Sequence, residues 1–197
     1  MEKKHTELDL SMNSRFQYQA QFTFGSGRSL TTMSFHTGSS YTTVTSDICP
    51  DTICSSRAFE PATSKTEHNL GEQSRIQLNQ GGIDVTLDVI TFTDTVCMLD
   101  QESTDGLCLD KFQFYAIYNQ EGLQDGQDGI VGLAPAQTDA KSYEGPLFFD
   151  ELARAGLINR AVFGLFISRF DSKPHSIQIG DYDTAFVEGG EESLDWY

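Results

Sequence analysis

Basic side chains are scarce in this chain. Lys and Arg total 13 against 29 Asp and Glu, giving a net charge of −16 and a pI of about 4.4. A surface of that sign repels nucleic acid and anionic lipid, because both are bound by Lys and Arg that displace counterions. No nucleic-acid partner is expected. The same shortage limits positive self-repulsion at low pH, which suits an acidic compartment. Long apolar runs are missing too. None approaches the roughly 18 residues of a spanning helix, so no membrane insertion is expected. The opening MEKKHTELDL has no apolar stretch of the kind that marks a secretory signal. Cysteine is limited to four residues, Cys49, Cys54, Cys97 and Cys108. They fall into CPDTIC and CMLDQESTDGLC, spaced too widely for paired zinc ligands and with no neighbouring His. We expect no metal and no cofactor. Each pair brackets a turn built on Pro/Asp or Gly/Asp, which favours local disulfides over free thiols. Two disulfides imply an oxidising compartment. That places the chain in the secretory pathway, outside the cell or in an acidic lumen, with its signal segment not part of this chain.

Apolar residues make up 38% of 197 residues, with 14 Phe and 7 Tyr. That is core material for one domain and argues against disorder. The dominant period is two. FQYQAQFTF alternates rings with polar residues, GSGRS turns the chain, and LTTMSF resumes the alternation. SRIQLNQGGIDVTLDVITF reads as two strands joined by Asn-Gln-Gly-Gly. FQFYAIYN and SIQIGDY add further strands. One helix is expected near Phe148–Ala155, opened by Pro146 and stopped by Gly156. The class is therefore all-β with one or two short helices. GSGRS lacks the residues of a phosphate loop and opens no helix. His5, His68 and His175 share no metal spacing and read as surface residues. Ser39 and Ser40 near His36 do not form a nucleophile elbow.

Several stretches together resemble the N-terminal lobe of the pepsin-like aspartic peptidases. FHTGSS stands where that family carries its catalytic Asp-Thr-Gly-Ser-Ser. CPDTIC has the spacing of the family's first disulfide. FEPATSKT is similar to the segment before the substrate flap, and DGIVGLAP to the stretch that follows the flap region. PLFFDELARAGLINRAVFGLFIS and IQIGDYDTAFVEGGEESLDWY are similar to the later helix and the strands that close the lobe. The resemblance implies a single lobe of a bilobal acid-protease fold over residues 16–197, with 1–15 as an N-terminal extension.

The departures carry the functional expectation. The family's two aspartates, one per lobe, share a proton and activate a water. Here His36 occupies the first position, braced by Thr37, Gly38 and Ser39, and no other Asp-Ser/Thr-Gly follows. An imidazole is neutral or cationic where the chemistry needs an anion. Counting on from Phe59 by the family's spacing, the flap tyrosine becomes Leu78. Asn79, Gln80, Gly81 and Gly82 complete the flap tip. No catalytic residue is intact, so the chain is expected to be an inactive lobe kept as a peptide- or protein-binding or assembly subunit. The alternative is one half of an aspartic endopeptidase that hydrolyses peptides once completed. Its partner would be a second lobe on another chain or a second copy. The final Trp196 and Tyr197 are expected to be covered by that partner.

Overall fold

The computed structural model describes residues 5–13, 17–27, 29–54, 58–99, 106–123, 127–135, 145–168, 174–184 and 187–193. Trp196 and Tyr197 lie outside them. The period-two segments become strands: β1 (Thr6–Met12), β2 (Tyr18–Phe24), β3 (Ser29–His36), β4 (Thr42–Thr45), β5 (His68–Gln80), β6 (Ile83–Met98) and β7 (Leu107–Glu121). Then come β8 (Gly129–Gly132), helix α1 (Phe148–Arg154), β9 (Phe163–Phe166) and β10 (His175–Ile179). They form one sheet in the order β5-β6-β7-β4-β8-β3-β2-β1-β10-β9.

The sheet folds back on itself. The end of β6 also pairs with β2, matching Phe22 to Met98 and Phe24 to Val96. The alternating sequence of β2 suggests one wet face, yet most of the strand is buried and only Tyr18 and Gln21 are half-buried. Gln19 and Thr23 are as buried as Ala20. Gln19 is satisfied by donating from Nε2 to Ser34 Oγ at 3.2 Å, as a buried amide must be. Within the segment 1–15, Leu8 and Leu10 of β1 are buried and the strand pairs with β10 and β2.

Phenylalanine fills the larger core. Phe59, Phe92 and Phe114 contact one another, and Phe22 and Phe112 meet Phe148 edge to face. Each fully buried ring contributes on the order of 2 kcal/mol. Helix α1 exists to present Phe148, Phe149 and Leu152 to that core. It stops where Gly156 takes a φ of 69°, which lets the Leu157 amide reach the Leu152 carbonyl at 2.9 Å. Both local disulfides are present, Cys49–Cys54 and Cys97–Cys108. The second joins directly opposed residues of β6 and β7.

Candidate functional site

His36 ends β3 at the centre of a three-strand arrangement. β8 runs parallel to β3 and antiparallel to β4, so it lies between them, with His36 beside Gly132. The turn connecting β3 to β4 is stitched to β8 by three main-chain bonds. Leu133 donates to His36, Ala134 to Ser39 and Gly132 to Tyr41, at 2.9, 3.0 and 2.8 Å. The packing is close enough to demand glycine. A Cβ on Gly129 would lie 2.0 Å from the Thr43 carbonyl oxygen, and one on Gly132 would lie 2.5 Å from that of Ser39. This is the physical content of the DGIVG stretch. Asp128 is a structural member of it: its carboxylate accepts from the Thr32 amide at 2.6 Å and its own carbonyl accepts from Thr45.

The imidazole is half-buried. Its Nδ1 lies 3.0 Å from Ser39 Oγ. Ser39 is only 5% exposed, so its hydroxyl braces the ring and offers no approach to a substrate carbonyl. Thr37 and Gly38 are exposed on the turn, and a Cβ on Gly38 would press on the imidazole at 3.0 Å. The ring also hydrogen-bonds the main chain of Asn79, which belongs to the hairpin β5–β6. His36 and the flap residues, 42 or more positions apart in the chain, are thus brought together.

That hairpin turns through Gly81 and Gly82, with φ of 61° and 87°, and pairs Gln80 with Ile83. Both central residues need a positive φ, which glycine alone adopts freely. Asn79 Oδ1 accepts the Gly82 amide at 3.0 Å, and Asn79 Nδ2 donates to Asp84 at 2.9 Å. Leu78 is half-buried and packs with Tyr41 on the cluster of Ile76, Val85 and Leu87. Gln80 is 5% exposed and points inward, donating from Nε2 to Gln127 Oε1 at 3.4 Å. Gln127, 2% exposed, donates in turn to the Gly129 carbonyl at 3.1 Å. Sequence reasoning missed Gln127, because its partner lies 47 positions away and no local pattern marks it. Of the other histidines, His5 and His68 are exposed. His175 is half-buried, accepts the Ser168 amide and meets the Tyr18 ring, since β10 is covered by β1 and β9. Among the described residues no cluster of His, Cys, Asp or Glu could hold a metal ion. No helix there is long and apolar enough to cross a membrane.

Burial lowers the pKa of His36 below the ordinary imidazole value, and the bond to Asn79 opposes this in part. The unfolded chain therefore takes up this proton more readily than the folded one. Stability from this site is complete above about pH 6.5 and is lost as pH falls through the folded value. Urea unfolding of the parent and of His36→Asn should diverge in that window, with the parent losing stability faster on acidification. A constant difference between about pH 4 and 8 would count against it.

A hairpin flap over a turn held by a β3–β8–β4 crossing is the architecture of one lobe of an acid protease. The family model for eukaryotic aspartyl proteases matches residues 17–195. Pepsin II-2/3 of Oryctolagus cuniculus is 28% identical over 170 residues, and Pepsin A of Canis lupus familiaris 28% over 172. Each alignment covers 84% of this chain and 40% of the relative. The chain belongs to the eukaryotic aspartyl protease family, as a pepsin-like lobe, and it spans well under half the length of these relatives.

Proposed function

We propose that this lobe does not cleave peptides by itself and serves as a peptide- or protein-binding or assembly subunit. The observation that carries the reading is His36, an imidazole standing at the end of β3 where the family's chemistry requires a carboxylate. The loop around it keeps its bracing serine and its glycines. The flap keeps its hairpin but carries Leu78 in place of a tyrosine. Loss of the acid with retention of the scaffold fits a groove that holds an extended chain by strand pairing. Two disulfides favour a secretory, extracellular or acidic lumenal setting.

The second reading is a half-enzyme completed by another lobe, favoured by coverage of only 40% of each pepsin relative. Both readings call for a partner. β9 is the last strand of the sheet order, and Leu165, Phe166 and Ile167 are 42, 39 and 50% exposed there. Apolar side chains along a sheet edge mark an interface. Sedimentation at pH 7.5 is expected to show self-association or a co-purifying subunit burying at least about 1,000 Å². A concentration-independent monomer with no companion would remove the assembly role.

A further inference from the structure

The flap tip is tied down at two points that do not involve its own strand ladder. The Asn79 main chain is held by His36, and the Gln80 side chain by Gln127. The root of the hairpin is anchored separately. Arg75 grips Asp88 through Nε at 2.7 Å and Nη2 at 3.1 Å, and Asn119 of β7 donates to the same carboxylate at 2.8 Å. Pairing of β6 with β7 ends at Thr86. Beyond that point the tip is a two-stranded ribbon with a Gly-Gly turn, and such a ribbon is marginal unless something else holds it.

We infer that His36 and the Gln80–Gln127 pair form a latch that keeps the flap closed on the cleft, so that an extended peptide enters only when both bonds release. The latch rests on the proposed reading of the cleft as a peptide groove. It gives His36 a present role: the ring that replaces the acid serves as a catch for the flap main chain. It also accounts for an amide pair under the flap tip, where both partners are almost completely buried. The closed state is poised rather than locked. Gln80 Oε1 is buried with no hydrogen-bond partner among the described residues, which raises the free energy of closure. The Gln80–Gln127 bond is also long at 3.4 Å.

Access to His36 measures the latch directly. Diethyl pyrocarbonate modifies an accessible imidazole nitrogen, and in the closed state the ring is half-buried, with Nδ1 against Ser39 and the Asn79 main chain bonded to it. Labelling read by peptide mass spectrometry follows the open fraction, with His68 and His175 as internal standards. Gln80→Ala and Gln127→Ala should each speed His36 labelling about fivefold or more while His175 is unchanged. Should Gln127→Ala loosen the whole lobe, seen as faster His175 labelling, Gln80→Ala at the hairpin tip carries the test. Unchanged His36 labelling in the folded variants overturns the latch. Oxidised insulin B chain serves as the extended-peptide probe and should bind the variants more tightly than the parent by a similar factor. Faster labelling without binding of this probe in any form keeps the latch and removes the peptide-groove reading. Tighter binding without faster labelling removes the latch.

Discussion

Purified chain mixed with acid-denatured globin is expected to release no peptide at any pH between about 2 and 7, the span in which aspartyl dyads titrate. The reason is charge. A working dyad holds one proton between two carboxylates and uses the anionic one to activate water. His36 offers a ring engaged by Ser39 and Asn79, neutral above its lowered pKa and cationic below it. Neither form is an anion, and the protonated form has no lone pair left to accept a proton. A pepstatin-type inhibitor, which engages both carboxylates, should bind weakly or not at all. His36→Asp alone should not restore cleavage, because the second aspartate comes from a second lobe. The same variant paired with a lobe bearing Asp-Thr-Gly is the combination in which cleavage is expected. Pepstatin-sensitive digestion of globin by the parent chain would refute the inactive reading outright.

Gly129→Ala should be among the most damaging single substitutions in the lobe, costing about 3 kcal/mol or more. The added methyl would stand 2.0 Å from the Thr43 carbonyl oxygen and 2.9 Å from the Val44 Cα. Both obstacles are backbone, and both belong to β4, which pairs with β7 as well as β8. Relief would require β4 to move away from β8, breaking the crossing that positions the His36 turn. Urea unfolding monitored by far-ultraviolet circular dichroism gives the loss directly. A variant within about 1 kcal/mol of the parent would show that this crossing tolerates displacement.

Much of the fold was legible in the chain itself. Ring-and-polar alternation marked β2, β3 and parts of β5, β6, β7 and β10, because a strand sends successive side chains to opposite faces. Gly81 and Gly82 marked the hairpin turn, because only glycine enters positive φ freely there. Pro146 and Gly156 bracketed α1 for the same kind of local reason. The short strands β4, β8 and β9 carry too few residues for a period to declare itself. Of these, β9 came into view through the resemblance of its segment to a known lobe, and β8 was assigned as a strand only by the structure.

The sequence by itself determined the all-β class, the two local disulfides, the acidic surface and the presence of a histidine, His36, just before the Thr-Gly-Ser-Ser turn. Each of these is written in neighbouring residues or in composition. Only the tertiary structure decided what surrounds that histidine. Gln19 and Thr23, on the side of β2 that its alternation left polar, are buried in the fold. The flap meets His36 across 43 positions (79 − 36) and Gln127 across 47. Contacts of that separation depend on sheet order, closure and twist, and no local spacing in the chain encodes them.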